Sequence, residues 1–290
     1  MSEQVAGKPG YGNLPGDAAG AEGACAVIVP VPYDGTSTWV KGADRGPEAL
    51  IEASWNMELY DIETDSEVWQ RGIHTDEPVT ERRSPEAMAE AVKARIEGWL
   101  ERGKFPVVLG GEHSVSIGAM QAMAGRYPGV TFLQLDAHGD TREEYEGTVY
   151  NHACVMARAR EMGPIVQVGI RSIDAAERPG LEEGRVFFAE NICGRTEWID
   201  AAVGRLGEKV YVTIDLDVFD PAIMPSTGTP EPGGMFWYEV LGFLKAVAMR
   251  REIVGFDVVE LCPNAANKGP DFLAAKLVYK LLSYRFELRK

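Results

Sequence analysis

Short apolar runs rich in β-branched residues recur along the chain and alternate with stretches of helical periodicity. The first, Ala26–Val31, is apolar throughout, which is typical of a strand buried on both faces of a sheet. A helical stretch over 85–100 has Ser84 as its N-cap and proline at its first position. Strands that alternate with helices predict an α/β fold with a parallel sheet covered on both faces. The other predicted strands are 105–109, 130–135, 165–170, 186–188, 210–216 and 253–259, and the last predicted helix is 271–284.

Residues 1–23 differ in composition from the rest of the chain. They are rich in glycine, alanine, proline and acidic residues and show no periodicity. Such a segment buries too little apolar surface to offset its ordering entropy, so we expect a flexible N-terminal tail. Residues 24–290 then form a single catalytic domain, which is long enough to bury a core without a metal ion or a disulfide. The four cysteines stand far apart and form no Cys-x-x-Cys pair, which argues against a disulfide framework and a thiolate zinc site.

The charge balance excludes two classes of partner. The chain carries 29 basic and 44 acidic residues, a formal net charge of −15. This charge opposes binding to nucleic acid and to anionic membrane surfaces. No run approaches the roughly 20 apolar residues of a membrane span, and the first residues lack the pattern of a signal peptide. We therefore expect a cytoplasmic protein with neither nucleic acid nor membrane as a partner.

Three of the predicted strands end in residues that can bind metal ions. The sequences that follow them are GGEHS at 110–114, DAHGD at 136–140 and DLD at 215–217. Ligands collect at the carboxyl ends of parallel strands, and side chains two residues apart project to the same side. We therefore expect six nitrogen and oxygen donors to converge. The candidate metal ligands are His113, Asp136, His138, Asp140, Asp215 and Asp217.

Four aspartates at one site require compensating positive charge. Carboxylates in a dry pocket repel one another, and two divalent cations would balance them. Carboxylate and imidazole donors without thiolate favour manganese or a similar ion over structural zinc. Three of the four histidines, His113, His138 and His152, lie in or just after these motifs. The fourth, His74, has no ligand-like neighbours and is assigned no role.

The three blocks resemble, in order and spacing, the signature blocks of the ureohydrolase family, which contains the arginases and agmatinases. The similarity continues through 226–234 (STGTPEPGG) and 255–260 (GFDVVE), so it covers nearly everything after residue 23. The resemblance implies a three-layer α/β/α sandwich with a central, mostly parallel sheet, two manganese ions per subunit and a homo-oligomer, a trimer or a hexamer. By position it implies that one ion is held by His113, Asp136, Asp140 and Asp215, and the other by Asp136, His138, Asp215 and Asp217.

The resemblance also implies an activity, the hydrolysis of a guanidinium group to urea and an amine. A histidine that matches His152 would carry a proton to the departing amine, and a glutamate that matches Glu260 would hold the guanidinium group. Asp220, before Pro221, fits a turn or a position beside the ligands better than a metal ligand. The segment 229–234 is expected to form a loop that borders the site.

The segment 141–152 bears on the choice of substrate. Arginine and agmatine share the guanidinium group, but arginine adds an α-carboxylate. Three glutamates at 143, 144 and 146 would repel that carboxylate and tolerate the cationic amine of agmatine. The segment resembles agmatinases more than arginases, so agmatine is the expected substrate and putrescine and urea the products. Because Arg142 could receive a carboxylate, arginine and 4-guanidinobutyrate remain alternatives.

Two further alternatives belong to other classes of protein. A single-zinc deacetylase has a related site with fewer metal ligands, but His113 together with Asp140 and Asp217 argues for two metals. A metal-binding but inactive oligomer could act as a scaffold. The presence of candidate ligands together with His152 and Glu260 favours an enzyme over a scaffold.

Overall fold

A computed structural model of the chain describes residues 9–288, which contain an eight-stranded sheet. The strands are β1 (Ala26–Val31), β2 (Ile73–Thr75), β3 (Phe105–Gly110), β4 (Thr131–Leu135), β5 (Ile165–Ile170), β6 (Val186–Phe188), β7 (Lys209–Asp215) and β8 (Glu252–Val259). Their order in the sheet is β2-β1-β3-β8-β7-β4-β5-β6, and every neighbouring pair is parallel. The predicted α/β fold with a parallel sheet is confirmed.

Helices cover both faces of this sheet. They are α1 (Gly16–Ala19), α2 (Gly46–Ser54), α3 (Pro85–Glu101), α4 (Val115–Arg126), α5 (Val155–Met162), α6 (Ala189–Ile192), α7 (Trp198–Gly204), α8 (Trp237–Arg250) and α9 (Gly269–Glu287). One layer contains α3, α4 and α5, and the opposite layer contains α2, α7, α8 and α9. The result is the expected three-layer α/β/α sandwich. Among residues 9–288, the helices are too short or too polar to cross a membrane.

The side chains of β1 show why its sequence is apolar throughout. Ala26 and Ile28 lie in the core beneath α2, α8 and α9, whereas Val27 and Val29 lie in the core beneath α3 and α4. All four are fully buried. A strand in the middle layer has no solvent-facing side, so period-two alternation sorts its residues between two cores.

The expectation of a flexible tail is wrong around Tyr11. Tyr11 is 2% exposed, its hydroxyl donates a hydrogen bond to the Ala275 carbonyl at 2.7 Å, and its backbone N–H donates to Thr75 Oγ1 at 2.8 Å. One buried aromatic ring and its hydrogen bonds therefore anchor a segment whose average composition predicted none of them. Residues 1–8 of the predicted tail lie outside the described residues.

The edge strand β2 was not predicted from the sequence. It has three residues, and it pairs with β1 through the register Val27–His74. His74 Nδ1 lies 2.8 Å from the Ala19 carbonyl oxygen. A strand this short has no periodicity of its own, and its position comes from the partner strand. His74 accordingly has a structural contact in α1.

The strand order places the predicted site. Strands β3, β8, β7 and β4 are neighbours at the centre of the sheet. The helices after β3 and β4, α4 and α5, lie in one layer, whereas those after β7 and β8, α8 and α9, lie in the opposite layer. Such a switch point leaves a crevice outside the carboxyl ends of the strands.

Candidate metal centre and active site

The loops after β3, β4 and β7 bring the six predicted metal ligands together at this crevice. Five of them are buried, and the side chain of His138 is 25% exposed. Backbone conformation contributes to this placement. Asp140 has a φ of +50°, and Glu260, directly after β8, has a φ of +67°. Non-glycine residues rarely adopt this region, and they persist in it where surrounding structure imposes it, often at functional sites.

A first group of donors surrounds His113. Its Nδ1 atom lies 2.9 Å from Asp140 Oδ2, 3.2 Å from Asp136 Oδ2 and 3.4 Å from Asp215 Oδ2. The approach of His113 depends on a glycine two residues earlier, because a Cβ on Gly111 would lie 1.9 Å from the Tyr33 carbonyl oxygen. Three carboxylates and an imidazole thus converge in a buried space.

A second group of donors surrounds His138. Its Nδ1 atom lies 2.9 Å from Asp217 Oδ2 and 3.6 Å from Asp136 Oδ1. Potential ligand atoms of His138, Asp136 and Asp217 lie within 4.8 Å of one another, as do those of His113, Asp136 and Asp140. The two groups share Asp136. The structure therefore contains two adjacent clusters that could each hold a metal ion.

The donor geometry fits cations. His113 Nδ1 is buried and, among the described residues, has no hydrogen-bond partner, although three carboxylate oxygens lie within 3.4 Å of it. Donors that bind one octahedral cation at about 2.1 Å lie about 3.0 Å from their neighbours, because adjacent bonds meet at right angles. The separations of 2.9, 3.2 and 3.4 Å around His113 lie near that spacing. Oxygen and imidazole donors without thiolate suit manganese and similar divalent ions.

The pKa values of the residues in the two clusters reflect the excess of negative charge at this site. Burial and the charge of Asp136 raise the pKa of Asp140 to about 7. Burial and the charges of Asp217 and Asp136 raise the pKa of Asp215 well above its ordinary value. Burial alone would lower the pKa of His113, but the surrounding carboxylates outweigh it and raise the pKa. Bound cations would relieve this repulsion.

A chain of buried hydrogen bonds orients His113. Its Nε2 atom lies 2.8 Å from Thr213 Oγ1, and the Thr213 hydroxyl donates to Asp257 Oδ1 at 2.6 Å. Tyr211 donates to the other oxygen of Asp257 at 2.8 Å. Because the Thr213 proton is engaged with Asp257, Thr213 accepts from Nε2–H, so the neutral ring has its lone pair on Nδ1. This is the tautomer that a metal ligand at Nδ1 needs.

A cavity of about 170 Å³ opens above the two clusters, and His152 and Glu260 both line it. Burial, and then the charges of His113 and His138, lower the pKa of His152 to about 4, so its ring is neutral at neutral pH. The Glu260 Oε1 atom accepts a hydrogen bond from the backbone N–H of His113 at 2.8 Å. Burial and the neighbouring charge of Glu112 raise the pKa of Glu260.

Residues 24–283 match the Arginase family. The chain belongs to the arginase family. The N(1)-aminopropylagmatine ureohydrolase of Synechocystis sp. is 40% identical over 272 residues, which cover 90% of this chain and 89% of that protein. The agmatinase of Pyrococcus horikoshii is 32% identical over 272 residues, with 88% and 90% covered. The solved agmatine ureohydrolase of Thermoplasma volcanium has a TM-score of 0.86 at 30% identity, with 98% and 96% of the chains covered. This arginase-family chain is thus a hydrolase of guanidino C–N bonds, as predicted.

The charge of Arg142 is balanced within this arginase-family protein. Its guanidinium group lies 3.6 Å from Asp174 Oδ2 and 3.7 Å from Glu177 Oε2, and its Cζ atom lies 4.5 Å from the ring centre of Tyr145. All four residues line the cavity above the metal clusters. Two carboxylates beside one guanidinium leave no excess positive charge for a substrate carboxylate.

The three glutamates of segment 141–152 do not act as predicted. Glu143, Glu144 and Glu146 are exposed, and none of these three lines the cavity. Glu143 instead forms ion pairs with Arg158 and Arg160. The expectation that this run repels a substrate carboxylate is therefore wrong. Apart from Glu260 and the aspartates of the metal clusters, the carboxylates that line the cavity are Asp174 and Glu177, neither of which was predicted from the sequence.

Asp220 shapes the loop that borders the arginase-family site. Its Oδ2 atom accepts hydrogen bonds from the backbone N–H groups of Gly233 and Gly234 at 2.9 and 3.1 Å. The same loop brings Glu231 Oε1 to 3.9 Å from His138 Nε2. The prediction of a turn residue is confirmed for Asp220. A second cavity, of about 700 Å³, is lined by residues 225–231 and by His138.

Sequence reasoning missed Thr213 and Asp257, which orient His113. Thr213 stands two residues before Asp215, so the same strand alternation that selected the aspartates places it on their side of β7. The register pairs Thr213 with Asp257 on β8. A search for polar residues one alternation step before each motif would have found Thr213, and the strand register then leads to Asp257.

Proposed function

We propose that the chain is a binuclear manganese enzyme that hydrolyses the guanidinium group of agmatine to putrescine and urea. The observation that carries this proposal is the pair of Asp/His clusters, joined at Asp136, beneath a cavity lined by His152 and Glu260. Clusters of this kind without His152 and Glu260 would suit a scaffold as well as an enzyme. A guanidino hydrolase uses all of these groups at once.

The six ligands divide into two sets in this proposal. One ion would be held by His113, Asp136, Asp140 and Asp215, and the other by Asp136, His138, Asp215 and Asp217. The short separations around His113 and around His138 support this division. When bound, the two cations would lower the pKa of a water molecule towards about 7, which makes a nucleophile available at neutral pH.

Glu260 and His152 act on the substrate. Glu260 faces the cavity and would pair with the guanidinium group, whose arrival favours the charged form of the carboxylate. The neutral ring of His152 would take a proton from the attacking water and give it to the departing amine nitrogen. That transfer lets the C–N bond break with a neutral amine as the leaving group.

Agmatine fits the charges around the cavity better than arginine does. Asp174 and Glu177 already balance Arg142, so an α-carboxylate would enter without a partner. Burying an unpaired carboxylate is costly, whereas the amine of agmatine approaches two carboxylates. The same argument disfavours 4-guanidinobutyrate.

N(1)-aminopropylagmatine is a second candidate substrate. The 40% identical relative in Synechocystis sp. carries the name of an N(1)-aminopropylagmatine ureohydrolase. The 700 Å³ cavity shares His138 and Thr229 with the smaller one, which gives a longer polyamine room beside the reacting group.

Urea release from manganese-loaded protein tests the proposal. We expect urea from agmatine or N(1)-aminopropylagmatine and, by elemental analysis, two manganese ions per chain. Metal binding without urea from any guanidino substrate would favour the scaffold, and one zinc ion with full deacetylase activity would favour that class. A homo-oligomer and a cytoplasmic location stay predictions, which sedimentation and cell fractionation would check.

A further inference from the structure

Thr36 contacts His152 through two atoms. Its Oγ1 atom accepts a hydrogen bond from the backbone N–H of His152 at 3.0 Å and lies 3.2 Å from Nδ1 of the His152 ring. Thr36 is 7% exposed and lies in the segment after β1. The two residues are 116 positions apart, so only the folded chain brings them together.

Burial raises the pKa of Glu112, which is fully buried, and the Thr36 hydroxyl, as a donor towards this carboxylate, opposes the rise. Glu112 also accepts two hydrogen bonds from Ser114, at Oε2 from the backbone N–H at 2.8 Å and at Oε1 from the hydroxyl at 2.6 Å. Both oxygens of Glu112 thus act as acceptors. Thr36 is therefore the donor in its contact with Glu112.

The donors and acceptors of Thr36 then determine the tautomer of His152. A hydroxyl offers one proton and two lone pairs. Its proton goes to Glu112, one lone pair accepts the backbone N–H of His152, and the other faces Nδ1. The ring must consequently carry its proton on Nδ1. Because His152 lines the cavity, the lone pair on Nε2 is the one available to a bound substrate.

We propose that Thr36, supported by Glu112, is a positioning residue that holds His152 in the tautomer with a free Nε2. This inference rests on the proposed function. As water adds to the guanidinium carbon, its proton passes to Nε2 of His152 and then to the amine nitrogen as the C–N bond breaks. The ring is briefly positive between these transfers, and the hydrogen bonds from Nδ1 through Thr36 to Glu112 keep it oriented.

Kinetics of Thr36→Val and Thr36→Ser test this inference. Valine keeps the shape but removes the hydroxyl, so we expect kcat to fall about 10- to 100-fold with KM and metal content unchanged. Serine retains the hydroxyl and should restore most of kcat. Thr131→Val is a matched control, since Thr131 is also a buried threonine that accepts a backbone N–H, from Gly207, but at the amino end of β4. It should leave kcat unchanged.

A second genetic background separates positioning of His152 from a merely structural role of Thr36. In a His152→Ala background, Thr36→Val should cause no further loss of kcat, because the residue through which it acts is gone. An equal loss in both backgrounds, or no loss in the otherwise wild-type enzyme, would overturn the inference.

The tautomer can also be read directly from ¹⁵N spectra of histidine-labelled protein loaded with diamagnetic Zn²⁺. His152 is assigned by the loss of its signals in the His152→Ala variant. We expect Nδ1–H in the wild type and in Thr36→Ser, and a mixed population in Thr36→Val. A wild-type ring protonated at Nε2 would overturn the inference. Absence of urea release would instead overturn the proposed function, and the spectra would still test the tautomer.

Discussion

Nδ1 of His113 lies 2.9 Å from Oδ2 of Asp140, and both side chains are buried, yet no hydrogen bond within the described residues joins them. A lone pair and a carboxylate oxygen at this separation repel each other unless a cation or a proton lies between them. The other ring nitrogen of His113 is engaged with Thr213. Asp136 and Asp215 also lie within 3.4 Å of the same nitrogen, and three carboxylates around one imidazole carry more negative charge than an ordinary buried ion pair, as a set of metal donors does.

We predict that two aspartates differ in their effect on metal content. Asp217→Asn should loosen chiefly one ion, because Asp217 approaches only the His138 cluster. Asp136→Asn should disturb both ions, because Asp136 is shared by the two clusters. Elemental analysis after reconstitution should give about one ion per chain for the first variant and fewer for the second. Loss of both ions from Asp217→Asn would contradict this division.

His152→Ala should lower turnover by about 10²–10⁴ while metal content stays at two ions per chain, since a positioned general acid or base is worth that much. Elemental analysis and urea release would be measured on the same preparation. Near-normal urea production would show that solvent or another group carries the proton.

Glu260→Gln should weaken substrate binding and turnover with both metals retained. The variant removes the charge that pairs with guanidinium but keeps an oxygen that can accept the His113 backbone N–H. The measurements are KM, kcat and manganese content. If manganese is lost instead, Glu260 acts on the metal centre and not on the substrate.

Agmatine should be preferred over arginine by tenfold or more in kcat/KM, because each 1.4 kcal/mol changes specificity by a factor of ten and an unpaired buried carboxylate costs at least that. Asp174→Asn should narrow this preference, since it leaves Arg142 with one carboxylate partner fewer. Glu144→Gln is the control, because Glu144 is exposed outside the cavity. Equal turnover of arginine by the wild type would refute the assignment of charges.

Thr213→Val should weaken manganese binding about 10- to 100-fold, because the hydrogen bond that holds the His113 tautomer is lost. Thr213→Ser retains the hydroxyl and should bind manganese nearly as the wild type does. Competition with a chelator gives both dissociation constants. Equal affinity in the valine variant would show that Thr213 does not orient His113.

The sequence by itself determined seven of the eight strands and the position of the candidate metal ligands along the sheet. Apolar runs without alternation require a strand with helices on both faces, and parallel strands bring their carboxyl ends to one edge. Polar residues directly after β3, β4 and β7 therefore had to meet. For the same reason, Asp136, His138 and Asp140 could be assigned together from their spacing alone.

Only the tertiary structure decided which polar groups contact one another across long separations. Thr36 meets His152 from 116 positions away, His113 meets Thr213 from 100, and Tyr11 meets Ala275 from 264. Composition and periodicity describe neighbours within one element, whereas these contacts depend on how the loops and layers pack. Glu143 shows the converse. From the sequence, its charge was expected to repel a substrate carboxylate, but in the fold it is exposed and pairs with Arg158 away from the cavity.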